Sequence, residues 1–163
     1  MSFDFIKDAL LRSAKRINVS YFKEQQEDAI NAIWQWWQSQ SISFTLSGYA
    51  GTGKTFIMRH LVRYLIVEKV CVTAPTHKAL RVLENSSGKK GMTIQSLCGL
   101  RPDVDIEDYN IENPSFKVIG EQKMRGYRLV IIDECSMINP GLFNLLIKTA
   151  IQCRCKLLFL GEM

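Results

Sequence analysis

Two short stretches of this sequence hold residues whose types and spacing suit joint chemistry. The first, GYAGTGKT at positions 48–55, matches the pattern G-x-x-x-x-G-K-[ST] without a mismatch. Gly48, Gly51 and Gly53 let the backbone curl, with Ala50 and Thr52 between them, so that successive N–H groups point inward as an anion nest at the start of a helix. Lys54 then reaches the β- and γ-phosphates of a nucleotide, and the Thr55 hydroxyl suits Mg²⁺. The second stretch, RLVIIDE at 128–134, sets Asp133 and Glu134 side by side after an apolar run. Adjacent acids at a strand end divide the work: Asp133 holds Mg²⁺ through water, and Glu134 polarises an attacking water as general base. The plain structural alternatives are a glycine-rich turn and a helix-capping acid. What separates chemistry from these is the context of each motif.

That context is a set of elements able to bring the two stretches together. β-prone residues at 42–47 precede the loop, and a helical pattern over 54–67 follows it. Strands are then expected at 69–74, 128–133 and 155–160, with helices at 77–85 and 140–150. Near-continuous apolar strands separated by helices imply a parallel sheet covered on both faces and joined by right-handed crossovers. The expected fold is therefore α/β, of the P-loop NTPase kind, over residues 1–163. Upstream, residues 4–16 and 23–38 read as amphipathic helices. In the second, Gln26, Ile30, Ile33, Trp34 and Trp37 form one stripe, and Trp36 falls off it, on the surface or at an interface. Residues 100–127 break the rhythm, too long and polar for a simple connection, and read as a small inserted subdomain or a loop.

Composition sets the outer bounds. A chain of 163 residues with 47% hydrophobic content supports one domain of ordinary size, not two full α/β domains. No apolar run approaches the roughly 20 residues of a membrane helix, and the start of the chain lacks the apolar core of a signal peptide; a cytoplasmic location is expected. The five cysteines, without a C-x-x-C and with two histidines for company, read as reduced thiols rather than a zinc site or disulfide framework. The net charge of +5 is unevenly spread. Between positions 54 and 101 nine basic residues stand against two acids, whereas positions 102–124 hold six acids and two lysines. A basic middle suits phosphate-bearing partners, although solvated helix faces would give the same count.

Two further stretches bear on such partners. In VTAPTHKAL (72–80), Pro75, Thr76 and His77 stand where a strand gives way to a helix and offer a hydroxyl, backbone N–H groups and an imidazole to a nucleic-acid backbone. The same T-H pair also serves as an ordinary N-cap, and MTIQSL (92–97) likewise reads as a capped turn. In chain order, FKEQQEDAI, GYAGTGKT, VTAPTHKAL, TIQSLCGL, VIIDECSM and LFLGE resemble the first motor domain of superfamily 1 DNA helicases of the RecD/Dda type, which move 5′ to 3′. The resemblance extends from about position 22 to position 161. It implies a RecA-like domain using ATP and Mg²⁺, with Gln26 reading adenine, Thr55 and Asp133 holding the metal, and Lys54 and Glu134 catalytic. It implies a single-stranded DNA track lined by Pro75, Thr76, His77, Thr93 and Ser96. It further implies that the last strand inserts between the loop strand and the Asp133 strand, and that residues 100–126 form a β-hairpin pin. Phe116 is taken as the wedge, with Tyr109 the other candidate and a role in the insertion's own small core the alternative.

The family pattern continues after LFLG with an Asp and, a few residues on, a Gln; here Glu162 and Met163 stand instead. The resembled helicases also carry a second RecA-like domain with an arginine finger. The chain is therefore expected to be a fragment that turns over ATP slowly and does not unwind duplex alone. The competing readings are a non-catalytic module that binds DNA or a partner and retains the loop, and a self-contained small P-loop kinase. The acidic stretch at 102–124 suits a kinase lid poorly.

Overall fold

A computed structural model of the chain describes residues 24–49, 51–64, 69–100 and 122–162. The helix expected at 4–16, and Ala50, Tyr109 and Phe116, lie outside the described residues. Helix α1 (Glu24–Gln38) leads into strand β1 (Ser43–Ser47), and α2 (Lys54–Tyr64) follows the glycine loop. Strand β2 (Val70–Ala74), α3 (His77–Ser87), β3 (Gly91–Thr93) and the short α4 (Ile94–Cys98) come next. A 3-10 turn (Lys123–Gly126) precedes β4 (Leu129–Ile132), a second one (Cys135–Met137) follows it, and α5 (Pro140–Cys153) and β5 (Lys156–Gly161) complete the fold.

The five strands form one wholly parallel sheet in the order β1-β5-β4-β2-β3. β5 thus lies between β1 and β4, as the resemblance implied. Its residues Leu157 to Gly161 are all buried, because a central strand of a doubly covered sheet meets helices on both faces. Period-two alternation divides the strands between two cores. Val72, Leu129, Ile131, Leu158 and Leu160 join Ile33, Ile57, Met58 and Leu83 of α1, α2 and α3. Cys71, Val130, Ile132, Leu157 and Phe159 face the other way, against α4 and α5. The placement of the helices follows from handedness. The crossovers β1→β2 and β2→β3 step one way along the sheet with their helices on the first face; β4→β5 steps back and puts α5 on the opposite face, as a constant crossover hand requires.

One expectation is corrected. Trp36 is not peripheral: it is 5% exposed, its ring 5.7 Å from that of Phe44 in β1. The inward stripe of α1 is centred on Ile33 and Trp36, three apart, and Trp37 instead lies half-buried with Arg128 6.0 Å from its ring. The start of β5 secures the same end of α1. Lys156 Nζ donates to the carbonyls of Trp36, Ser39 and Ser41 at 2.7–2.9 Å, tying β5 to the last turn of α1 and the turn after it. Leu100 and Met124, near the two ends of the stretch expected as an insertion, are buried in the second core.

The cysteines behave as core residues. Cys71, Cys98 and Cys155 are buried, and burial pushes their thiols up to about 11, 12 and 12 respectively, so they stay protonated and poorly nucleophilic. Among the described residues no helix is long and apolar enough to cross a membrane.

Candidate nucleotide site at the carboxyl edge of the sheet

With every strand parallel, the loops after β1, β4 and β5 open on one edge of the sheet, where ligands of open α/β folds bind. The loop after β1 starts close to the end of β5, the Gly48 N–H donating to the Gly161 carbonyl (3.3 Å). Gly51 (φ 78°) and Gly53 (φ 92°) adopt left-handed backbone that side chains rarely take, which is why glycine stands there. Space gives Gly53 a second reason: a Cβ there would collide with the Gln26 carboxamide nitrogen. Gln26, the residue assigned to adenine, donates from Nε2 to the Thr52 carbonyl (3.2 Å) and so brings the first turn of α1 onto the loop. Thr52 tightens the turn further, its hydroxyl donating to the Tyr49 carbonyl (2.8 Å).

Lys54 folds back over the loop that it follows. Its ammonium donates to the carbonyls of Gly48 (2.6 Å) and Tyr49 (2.9 Å), close enough to count as strong charge-assisted bonds. Alternation along β4 turns Asp133 toward the face that carries α2, since Leu129 and Ile131 point there. Burial raises the Asp133 carboxyl above its ordinary pKa; the Glu134 N–H, 3.0 Å from Oδ1, and the Lys54 charge offset part of that rise. Its own N–H donates to the Thr73 carbonyl of β2 (3.0 Å), which holds the end of β4 in register. Glu134 follows in left-handed conformation (φ 53°, ψ 42°), unusual for a residue with a side chain. That backbone reversal leaves Glu134 exposed at the cavity and starts the 3-10 turn Cys135–Met137.

Lys54, Thr55, Asp133, Glu134 and Glu162 all line one cavity of about 560 Å³, within the usual range for small-ligand sites. Two elements distant in sequence therefore converge as the motifs required. Two of the lining groups suit Mg²⁺, the Thr55 hydroxyl and the Asp133 carboxylate, and among the described residues no cluster of three or more His, Cys, Asp or Glu is able to cage an ion. Mg²⁺ keeps several waters and takes its remaining ligands from phosphate oxygens, so a sparse protein set is what it needs.

The residues expected to meet DNA stand at the same edge, beyond β4. Thr76 and Thr93 are the N-caps of α3 and α4, each accepting a backbone N–H from three residues on: Ala79 N–H at 3.2 Å and Ser96 N–H at 3.3 Å. The register Ala74↔Thr93 sets these two starts side by side. His77 is exposed and Ser96 half-buried. Pro75, in the turn from β2 into α3, is buried.

Sequence reasoning missed three features. Met137 and Ser136 join the cavity wall. Gly161 is required because a Cβ would come 2.5 Å from Cys135 Sγ, so the turn after β4 packs directly on the end of β5. Lys123 donates to Ser96 Oγ (3.3 Å) across 27 residues. Ser136 and Met137 end the stretch VIIDECSM and Gly161 falls in LFLGE, but neither stretch assigned them a contact, and nothing in the sequence marked the pairing of Lys123 with Ser96.

Comparison with known proteins agrees with this geometry. The AAA domain family matches residues 21–163. The ATP-dependent DNA helicase dda of Enterobacteria phage T4 is 32% identical over 142 residues, covering 85% of this chain and 31% of the phage protein. Among solved structures, the Pif1 helicase from Candida albicans is 25% identical with a TM-score of 0.61, over 88% of this chain and 33% of that one. A Bacteroides sp Pif1 in complex with ADP-AlF4 has a TM-score of 0.59 at 22% identity, over 88% of this chain and 32% of that one, a likeness of fold. The chain thus spans about a third of the length of the relatives that it matches.

Proposed function

Because the chain belongs to the AAA domain family, as an N-terminal motor domain of the Dda and Pif1 type within the superfamily 1 helicases, we propose that it binds ATP and Mg²⁺ and couples ATP hydrolysis to 5′-to-3′ movement on single-stranded DNA. The observation that carries this reading is the convergence of Lys54, Thr55, Asp133 and Glu134 on one cavity at the carboxyl edge of the sheet. A second RecA-like domain, absent from the described residues, completes the motor in this reading, which also places the protein in the cytoplasm and in DNA replication or repair.

The chain's own groups divide the work as follows. The glycine loop directs N–H groups at the phosphates, with the positive end of α2 behind them. Lys54 exchanges its bonds to the Gly48 and Tyr49 carbonyls for phosphate oxygens, so the ammonium is held near its working place before ligand arrives. Thr55 and Asp133 would hold Mg²⁺, which when bound neutralises charge on the phosphates. Glu134, exposed beside the cavity, accepts a proton from water. Gln26 reads adenine in this proposal, and its bond to the Thr52 carbonyl ties it to the loop. Thr76, His77, Thr93 and Ser96 contact phosphate and sugar, not bases, so binding is indifferent to sequence.

Nucleotide binding and single-strand-stimulated hydrolysis test the reading, measured on this chain and on a longer version that includes a second motor domain. The longer protein is expected to hydrolyse ATP when single-stranded DNA is added, and Glu134→Gln to abolish turnover while nucleotide still binds. A folded wild type with no affinity for ATP, or a Glu134→Gln variant with full turnover, would overturn it.

A further inference from the structure

The proposed track for single-stranded DNA consists of groups without a permanent charge. Thr76, Thr93 and Ser96 offer hydroxyls, and His77 an imidazole. Such groups orient a backbone, whereas most of the affinity for a phosphate chain comes from cations that displace its counterions. Lys123 stands against this track, although more than twenty residues separate it in sequence from Ser96. Its ammonium donates to Ser96 Oγ at 3.3 Å. The lysine is exposed, and an ammonium has three donors, of which this bond uses one.

The backbone beneath it is fixed. Met124, the next residue, is fully buried in the core shared by α4 and α5. The 3-10 turn Lys123–Gly126 closes with the Tyr127 N–H donating to the Met124 carbonyl (3.0 Å). Ser96 is held equally well, its own N–H tied to Thr93 Oγ1 (3.3 Å) and its neighbour Leu97 fully buried. Thr93 is in turn registered against Ala74, just ahead of the Pro75–His77 turn. A cation on a rigid base, touching a hydroxyl of the track at an exposed position, is placed to meet a phosphate that the hydroxyl also touches.

We propose that Lys123 is a phosphate contact of the single-stranded DNA track and supplies a countercharge beside Ser96. This rests on the DNA-binding reading above and adds to it a residue that none of the motifs contains. The bond to Ser96 Oγ keeps the long lysine side chain pointed along the track, lowering the entropy lost when phosphate arrives. Since a phosphate contact carries no sequence information, the effect of losing it is the same for every base composition.

The test is fluorescence anisotropy with labelled oligothymidylate and a mixed-sequence oligonucleotide, titrated at several salt concentrations with the whole chain as wild type, Lys123→Ala and Lys123→Arg. Circular dichroism reports whether each variant is folded. The expected result is weaker binding by Lys123→Ala on both oligonucleotides, with the slope of log K against log salt shallower by about 0.7, the value for one phosphate contact on a single strand. Lys123→Arg is expected to keep the wild-type slope, because the charge remains. A wild type that binds with a clear salt dependence that Lys123→Ala leaves unchanged would overturn the Lys123 assignment alone. So would a loss confined to one sequence, or one that arginine fails to restore. A wild type without salt-dependent binding would remove the DNA track itself and this proposal with it.

Discussion

At the scale of the residue, the site is built from side chains held by hydrogen bonds and by burial. Lys54 bends back onto two carbonyls of its own loop, and in the proposed function its charge is the main countercharge for a triphosphate. Lys54→Ala is therefore expected to weaken nucleotide binding roughly 10- to 100-fold, the range for one charged hydrogen-bonding group; calorimetric titration of the folded variant with ATP checks this. Asp133 leads to a pH effect. Burial lifts its pKa in the folded chain above the unfolded value, so the folded state holds the proton more tightly. Stability from this group is fully present below the unfolded pKa and is lost as pH rises through the folded one. Asp133→Asn removes that dependence. In the absence of nucleotide and metal, the asparagine variant is expected to gain on wild type in urea midpoint as pH rises from about 3 to about 7, across the carboxylate range. A difference that stays constant with pH would count against the burial argument.

At the scale of the element, the carboxyl ends of the strands carry both function and its cost. Thr73 of β2 lends its carbonyl to Asp133, yet its own hydroxyl is fully buried and has no partner among the described residues. Thr73→Val exchanges that hydroxyl for a methyl group. The expected gain is about 1 kcal/mol, the lower end of the desolvation cost of an unsatisfied group, read as a higher urea midpoint with an unchanged m-value. At the end of β5 the sign reverses. Gly161→Ala drives a methyl group into Cys135 Sγ and is expected to cost about 1–3 kcal/mol, the usual range for overpacking. Cys135→Ala in the same chain should recover much of the loss, since the sulfur is the atom met first. A double variant no more stable than Gly161→Ala would place the strain elsewhere.

At the scale of the whole molecule, the described residues supply one wall of the proposed nucleotide site. The cavity wall contains Lys54, Asp133 and Glu134 but no arginine among its described residues. Charge spread over the γ-phosphate is commonly met by an arginine from outside, worth roughly 10³ to 10⁵ in rate. ATP turnover by the 163-residue chain is accordingly expected near background, with little stimulation by single-stranded DNA and no unwinding. A steady-state phosphate-release assay over a range of protein concentrations checks this. Robust DNA-stimulated turnover at low concentration would refute it. Turnover that appears only as concentration rises would point to a second copy lending the missing charge.

What the amino-acid order determined by itself was local. Glycines at 51 and 53 mark a loop because only glycine takes their backbone angles cheaply, and apolar runs such as 157–160 mark strands buried on both faces. Lys54, Thr55, Asp133 and Glu134 were legible as candidates because each stands at a strand end or helix start that short-range patterning defines, and the fold brings them to one cavity. The place of β5 between β1 and β4 was expected through resemblance alone, since pairing partners are chosen across more than a hundred residues by which apolar faces fit. Tertiary packing alone decided that Trp36 turns inward onto Phe44, that Gln26 rests on the loop, that Cys135 presses on Gly161 and that Lys123 meets Ser96. Apart from Trp36 and Phe44, which stand eight residues apart, these are distances between residues more than twenty-five apart in the chain. Such distances are set by how covered sheet faces and rigid helices fill space together, and no window of sequence contains both partners.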